Sequence, residues 1–223
     1  MIFRPTVLRS LLLALTLAAP LGAVADVSLH AAVKRPSVEK RQEKGKTEAP
    51  RAQALSEADE IKIQAAAYLF LYYNKKLDPQ KAKEYGQHVL EASKRYSLDY
   101  ALVSGIIIKE STANAQCRGK YAVGLMQIYW RLHKKTIMQQ FPHITSARIL
   151  MEPRNNIMVG CWLFQRYLTY SKGDVTKALH RYLGAKGDKY VKQIRKYRQR
   201  CLGREEWLLQ RADTARERKR KAL

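Results

Sequence analysis

One glutamate, Glu110, continues an apolar stripe instead of lying on a polar face. In the helix predicted to begin at Asp99, the stripe has the spacing i, i+3, i+4 and i+7 and consists of Val103, Ile106, Ile107 and Glu110. Ionised carboxylates are rarely buried without partners. The pattern therefore indicates an acid that is held in apolar surroundings.

Two effects favour the protonated form of Glu110. Apolar surroundings penalise its anion, and its place at the helix C-terminus brings it close to the negative end of the helix dipole. A carboxylic acid that keeps its proton near neutral pH can act as the general acid that a glycosidic bond needs for cleavage. An alternative stays open, in which Lys109 or Arg118 simply pairs with Glu110 at the rim of the fold.

Few other acids are available nearby, because no Asp or Glu occurs between Glu110 and Glu152. Hydrolysing glycosidases usually place two carboxylates around the bond, one to protonate it and one to stabilise the sugar or activate water. Either a distant carboxylate folds in, with Glu152, Asp174 and Asp188 as candidates, or the substrate supplies its own nucleophile. The sequence alone leaves both possibilities open.

The elements that must position Glu110 are predicted to be helices. Ser56, Asp78 and Asp99 are good N-caps for the first three, with Pro79 at the first position of the second. Further helical periodicity covers residues 125–140, 156–171, 175–182 and 188–200, whereas residues 114–123 indicate a loop or small hairpin. Short turns between such segments predict an all-α, mainly helical fold.

The N-terminal part divides into two segments by composition. Residues 1–25 have the features of a cleaved signal peptide, with two arginines before the apolar run at 11–17 and an Ala-Val-Ala site that ends at residue 25. Residues 26–55 have few apolar anchors, which predicts a flexible linker. Because the apolar run is too short to span a bilayer, we expect a periplasmic or secreted protein without a transmembrane segment.

The chain is strongly basic, with a formal net charge of +23. Such an excess favours polyanionic partners, and the expected export points to anionic cell-wall polymer rather than nucleic acid. Residues 203–223 form a basic helical tail that could bind a partner or be a solvated terminus. The three cysteines allow one disulfide at most without choosing its pair, and their spacing does not suggest a metal site.

Several ordered motifs together resemble one known family, the catalytic domain of soluble lytic murein transglycosylases (SLT family). They are Glu110-Ser111, then Gly124-Leu125-Met126-Gln127-Ile128, then Asn156-Ile157 with Gly160 and Trp162, and finally Ala178-Leu179 with Tyr182. The resemblance implies a lysozyme-like fold of the goose type with a loop or hairpin beside the cleft. On this basis we expect an N-terminal helix at 56–77 packed on the SLT domain at 78–202.

The resemblance also implies a reaction and its residues. Glu110 matches the family's catalytic glutamate, which cleaves the β-1,4 bond between N-acetylmuramic acid and N-acetylglucosamine without water and leaves 1,6-anhydro ends, a lyase reaction. Ser111, Met126, Gln127 and Tyr182 match positions that line the cleft, with the Tyr182 hydroxyl expected on the catalytic carboxyl or the substrate. Asn156 is expected to cap the helix that follows Pro153. Neither a metal nor an organic cofactor is implied.

The chain departs from the family pattern in places that affect substrate contacts. Leu183 replaces the asparagine that usually follows the tyrosine, and Tyr129-Trp130 replaces a proline often found there. Two alternatives to the lytic reaction stay open: a muramidase that hydrolyses the same bond, and a non-catalytic basic protein that binds cell-wall polymer. We expect a monomer whose partner is the peptidoglycan glycan strand, with linker and tail compatible with docking to a secretion or cell-envelope complex.

Overall fold

The computed structural model describes residues 55–222, so the signal peptide predicted at 1–25 and nearly all of the linker predicted at 26–55 lie outside it. In the described part, helices are the only regular elements, which confirms the all-α prediction. They are α1 (Glu57–Tyr73), α2 (Pro79–Tyr96), α3 (Tyr100–Ser111), α4 (Trp130–Gln140), α5 (Ala147–Leu150), α6 (Pro153–Tyr170), α7 (Val175–Leu183) and α8 (Asp188–Lys221).

The first three helices begin where their capping residues predict. The side chains of Ser56, Asp78 and Asp99 each accept a hydrogen bond from the backbone N–H three residues later, at distances of 3.1, 3.0 and 2.9 Å. Each bond satisfies a donor that the first helical turn leaves free. Asp174 caps α7 in the same way, accepting from Lys177 N at 3.0 Å.

Two predicted helix starts were wrong. The helix predicted from Leu125 begins only at Trp130, because Gly124 and Gln127 have positive φ angles of 80° and 48°, which a right-handed helix excludes. The helix predicted from Asn156 begins at Pro153, since a proline at the first helical position loses no hydrogen bond. The short helix α5 was not predicted.

Helix α8 is longer than its periodicity suggested. It runs without a break from the segment predicted at 188–200 through the tail at 203–223, as far as Lys221. Gly203 lies within it, although a glycine inside a helix costs about 1 kcal/mol relative to alanine. The tail is therefore a continuation of a helix that packs on the core.

Helix α3 lies at the centre of the fold. Every residue from Tyr100 to Ile108 is buried, and α1, α2 and α8 pack against it. Gly105 allows α8 to come close, since a Cβ at this position would lie 3.0 Å from the carbonyl oxygen of Ile194. This packing brings the first turns of α8 beside the last turn of α3, where Glu110 lies. None of the helices in the described region is long and apolar enough to cross a membrane.

All three cysteines are free thiols, so none of the disulfide pairings that the sequence left open is formed. Cys161 and Cys201 are buried, and burial raises the pKa of both thiols, that of Cys201 to about 12. Cys117 is half-buried in the loop after α3, and burial, together with the negative charge of Glu110, raises its pKa as well.

Candidate functional site

The carboxyl group of Glu110 lies at the C-terminal end of the buried helix α3. The other members of its stripe, Val103, Ile106 and Ile107, are fully buried, while Glu110 itself keeps some exposed surface. The stripe therefore leads from the core to a partly exposed acid at the end of the helix. This placement agrees with the apolar surroundings that the sequence predicts for Glu110.

The charge balance at Glu110 places its titration near neutrality. Burial of the carboxyl group is the largest effect and raises its pKa from 4.5 to about 7, against the lowering effects of a hydrogen bond from Tyr190 and the positive charge of Lys109. Near pH 7, both the protonated and the ionised form of such a carboxyl group are populated. It can therefore donate a proton and take one back within a single reaction cycle.

The hydroxyl group of Tyr190 is the closest partner of this carboxyl. Tyr190 lies in the first turn of α8, is buried, and donates to Glu110 Oε1 at 2.5 Å. Burial and the neighbouring negative charge raise the pKa of Tyr190 well above its usual value, so the phenol stays protonated and remains a donor. Tyr190 thus fixes the orientation of the carboxyl group and stabilises its ionised form.

Sequence reasoning missed Tyr190. A local signal was present, because Tyr190, Ile194 and Cys201 share one face of the helix predicted from residue 188, and all three are buried. A buried tyrosine needs a partner for its hydroxyl group. The periodicity therefore indicates that this side chain points inward, but it does not indicate which acceptor it meets.

Tyr182, the tyrosine expected at the carboxyl group or the substrate, has a different partner in the structure. Its hydroxyl group donates to the carbonyl oxygen of Met126 at 2.8 Å, and burial raises its pKa well above the usual value. Leu183, which replaces the usual asparagine, is half-buried and lies under Gly187, where a Cβ would come within 2.5 Å of it. Contact between Tyr182 and the substrate stays a prediction.

The loop that follows α3 is short and tightly bonded. Val123 forms isolated β-bridges with both Arg118 and Ile128, which gives the segment the shape of a small irregular hairpin. Gln127 closes it, because its side-chain amide donates to the carbonyl oxygens of Cys117 and Gly124 at 3.1 and 2.9 Å. Both amide protons of Gln127 are thus used inside the loop, and its carbonyl oxygen lies beside Gly119, where a Cβ would come within 2.8 Å of it. Contact between Gln127 and a substrate stays a prediction.

Asn156 anchors this loop to α6. It is fully buried; its Oδ1 accepts from Met126 N at 2.7 Å, and its Nδ2 donates to the carbonyl oxygens of Val123 and Leu150, both at 3.1 Å. The prediction that Asn156 caps the helix was wrong, because Glu152 occupies the N-cap position and the amide reaches the loop instead. Gly124 makes room for this contact, since a Cβ there would lie 2.2 Å from Asn156 Nδ2.

Two more predicted site residues join the loop to the helices. The hydroxyl group of Ser111 is buried and lies 2.8 Å from the carbonyl oxygen of Leu125 and 3.2 Å from that of Ile107. Met126 is fully buried against Gly160 of α6, where a Cβ would come within 2.3 Å of its sulfur. Both side chains hold the loop in place behind the surface, and their direct contact with a substrate stays a prediction.

The possible second carboxylates are occupied elsewhere. Glu152 accepts from the side chain of Asn155, Asp174 caps α7, and Asp188 is fully exposed and lies 3.5 Å from His180. No other carboxylate in the range 55–222 contributes to the pKa of Glu110. The alternative of an ion pair is not seen either, because Glu110 makes no salt bridge with Lys109, Arg118 or another described cation.

A family model described as "Transglycosylase SLT domain" matches residues 87–203, a span that runs from α2 into α8 and includes Glu110, the bonded loop and Tyr190. A search of curated proteins finds no match. Among the described residues, no group of three or more His, Cys, Asp or Glu side chains is placed to hold a metal ion.

Proposed function

The chain belongs to the transglycosylase SLT domain family and is thus a peptidoglycan transglycosylase, and we propose that Glu110 is its single catalytic acid and base. The position and the raised pKa of this carboxyl group support the proposal. The group is the end of a buried stripe, its pKa is raised to about 7, and its hydrogen-bond donor is the Tyr190 hydroxyl. No neighbouring carboxylate in the described chain shares its role.

The proposed reaction needs one carboxyl group in two forms. Protonated Glu110 gives its proton to the oxygen between N-acetylmuramic acid and N-acetylglucosamine, and the bond from that oxygen to C1 of the muramic acid breaks. The C6 hydroxyl group of the same muramic acid then attacks C1, and the Glu110 carboxylate takes the proton that this hydroxyl releases. The products are a free N-acetylglucosamine end and a 1,6-anhydro end, and Glu110 regains its starting state without water.

The residues around Glu110 support the two forms in different ways. Burial favours the acid that begins the reaction, and the Tyr190 hydroxyl favours the carboxylate that completes it. The Gln127 carbonyl oxygen is proposed to accept from a sugar hydroxyl or acetamido N–H. We assign positioning roles to Ser111, Met126 and Asn156, whose contacts hold the loop that follows α3 in place.

The proposed reaction is tested by the products that the protein releases when it digests purified sacculi. Muropeptides released by the chain are separated and weighed, and we expect ends that are one water lighter than the reducing ends that a muramidase produces. Reducing ends throughout would overturn the lytic reaction and favour hydrolysis. Intact sacculi that are bound but not cleaved would favour the non-catalytic binding protein.

Tyr190→Phe is expected to change the pH dependence of cleavage. The rate should fall as pH rises above about 7, because Glu110 must begin protonated. Loss of the Tyr190 hydroxyl group removes a hydrogen bond to the carboxylate and so raises the pKa of Glu110 further. The fall in rate should therefore move to higher pH by roughly one unit. We also expect a maximum rate about tenfold lower, measured as kcat/KM against pH on soluble glycan strands.

Tyr182→Phe is the matched control, because the same hydroxyl group is lost but its partner is the uncharged Met126 carbonyl oxygen. In this variant, the pH at which the cleavage rate falls should stay unchanged, whatever the maximum rate is. If Tyr190→Phe leaves the fall where it is, or if Tyr182→Phe moves it equally, then Tyr190 does not act through the carboxyl group of Glu110.

The assignment of the remaining segments belongs to the same proposal. A family that acts on the cell wall works outside the cytoplasm, so residues 1–25 are proposed as the export signal and residues 26–55 as a linker to the folded domain. We assign the N-terminal segment at 56–77, which contains α1, and the SLT domain at 78–202 to one folded unit, since α1 packs against α2, α3 and α8. The monomeric state and docking to an envelope complex stay predictions.

A further inference from the structure

A row of stacked arginine and aromatic side chains runs along α1 and the second half of α8. Arg200 lies 3.9 Å from the ring centre of Tyr72, and Arg204 lies 4.6 Å from that of Tyr68. Trp207 has Arg204 on it at 4.0 Å and Arg211 at 4.6 Å. We name this surface the arginine ridge, and its residues are Tyr68, Tyr72, Arg200, Arg204, Trp207 and Arg211.

The ridge occupies one face of α8. Its members Arg200, Arg204, Trp207 and Arg211 are spaced i, i+4, i+7 and i+11, which places all four in one line over about 16 Å of helix. The nearest acids in sequence, Glu205 and Glu206, are turned away from this line by the helical period, and Glu205 accepts from Tyr100 at 2.7 Å on another side. The ridge is therefore a line of positive charge without interspersed acids.

The three guanidinium groups are held in place but not neutralised. None of them forms a salt bridge with a described residue, although α8 and α1 contain ion pairs such as that between Arg216 and Glu57. The rings beneath them keep exposed surface, 37% at Tyr68 and 40% at both Tyr72 and Trp207. Stacking on a ring fixes the guanidinium plane, so less side-chain entropy is lost when an anion binds. The Nε of Arg204 is buried, so this arginine offers its terminal N–H groups.

This arrangement selects among anionic ligands. Nucleobases would need the ring faces, but the guanidinium groups cover faces of Tyr72, Tyr68 and Trp207. A membrane anchor would need Trp207 to insert, but the indole has Arg204 and Arg211 on it. The terminal N–H groups of the guanidiniums suit oxyanions, and their arrangement in a line suits an extended chain that carries such groups at intervals.

We propose that the arginine ridge binds carboxylates on the stem peptides of peptidoglycan, at a surface separate from the cleft. This inference rests on the proposed function for its polymer, because the stem peptides supply the carboxylates of the strand that the enzyme cleaves. Arg200 follows Tyr190, the partner of Glu110, by ten residues, or about 15 Å along α8. A strand whose peptides bind the ridge can therefore stay attached while its glycan occupies the cleft.

The test measures binding to purified sacculi by co-sedimentation, with every chain carrying Glu110→Gln so that the polymer is not consumed. The triple variant Arg200→Gln, Arg204→Gln, Arg211→Gln should bind about tenfold more weakly at low salt, since three ion pairs with the polymer, each of the modest strength usual at a protein surface, are lost. The difference should shrink as salt screens the charges. Arg211→Gln alone, at the most exposed of the three positions, should weaken binding about twofold and tests the ridge if the triple variant does not fold.

The matched control is the triple variant Lys219→Gln, Arg220→Gln, Lys221→Gln, which removes the same charge from exposed positions of the same helix. We expect this control variant to bind sacculi less than about twofold more weakly than its parent. Equal losses in the two triple variants would show an effect of net charge and overturn the ridge.

Two further ligands test its chemistry. On glycan strands stripped of stem peptides by an amidase, the ridge variant should bind no more weakly than its parent, and a persistent tenfold loss would overturn carboxylate recognition. Binding to phosphatidylglycerol vesicles or single-stranded DNA that is tighter than binding to sacculi, and that depends on the three arginines, would also overturn it. Because binding is read without cleavage, failure of the proposed function would instead show as a lack of anhydro products from the unmutated chain.

Discussion

Glu110→Gln is expected to lower the rate of sacculus cleavage by about ten-thousandfold, the largest effect of any single substitution in this chain. The amide can neither protonate the glycosidic oxygen nor take up the proton of the C6 hydroxyl group, so both halves of the proposed reaction lose their catalyst. The change keeps the shape of the side chain. The measurement is the release of soluble muropeptides from sacculi over time.

The same variant should be more stable than the unmutated chain at high pH, which separates loss of catalysis from loss of fold. The pKa of Glu110 is raised from 4.5 to about 7 on folding, so deprotonation in the folded state costs stability as pH rises through this window. The amide of the variant does not titrate. We expect the unfolding free energies to be similar near pH 4.5 and to differ by on the order of 2 kcal/mol above pH 7, in favour of the variant.

An inactive Glu110→Gln that also unfolds more easily at pH 8 would contradict this account of the site, because it would assign Glu110 a structural role. Full activity in the variant would exclude Glu110 as the acid. Retained binding to sacculi with no cleavage in either protein would instead favour the non-catalytic alternative.

Asn156→Ala is expected to have the second-largest effect, on stability and activity together. It removes hydrogen bonds to Met126 N, Val123 O and Leu150 O, and it leaves those buried backbone groups without their partner. Unsatisfied groups of this kind cost about 3 kcal/mol or more in sum. Because the loop that contains Gln127 loses its anchor, cleavage by the folded fraction should also fall, on the order of a hundredfold.

Asn155→Ala is the control for this variant, since it removes the same side chain one position earlier in α6. Asn155 is only half-buried and donates to Ile149 O and Glu152 Oε2 at the start of the helix, away from the loop. We expect less than about 1 kcal/mol of destabilisation and almost no change in rate. Urea denaturation followed by circular dichroism gives the first quantity. Equal effects of the two substitutions would exclude a special role for the Asn156 contacts.

Local features of the fold could be predicted from the sequence because they depend on neighbouring residues. The caps at Ser56, Asp78 and Asp99 and the apolar stripe that ends at Glu110 are all found as predicted. The predicted starts of α4 and α6 were wrong for local reasons as well. The positive φ of Gln127 has no signal in an ordinary helical pattern, and Pro153, which fits the first position of a helix, begins α6 three residues before the predicted start.

Contacts between distant segments could not be predicted. Tyr190 and Glu110 are separated by 80 positions, and Asn156 meets Met126 across 30. Periodicity indicates that such side chains point inward, but the choice of acceptor depends on how α3, α6 and α8 pack. The family resemblance offered Tyr182 for the carboxyl group, and its hydroxyl instead lies on the Met126 carbonyl oxygen.

The central claim is that Glu110 acts alone and that the substrate, not water, supplies the nucleophile. Digestion of sacculi in water enriched in the heavy oxygen isotope tests it most directly, because hydrolysis transfers one water oxygen to each new muramic acid end. The account predicts that new ends are 1,6-anhydro and unlabelled, at a rate that falls as pH rises above about 7. Heavy oxygen in the new muramic acid ends would contradict it.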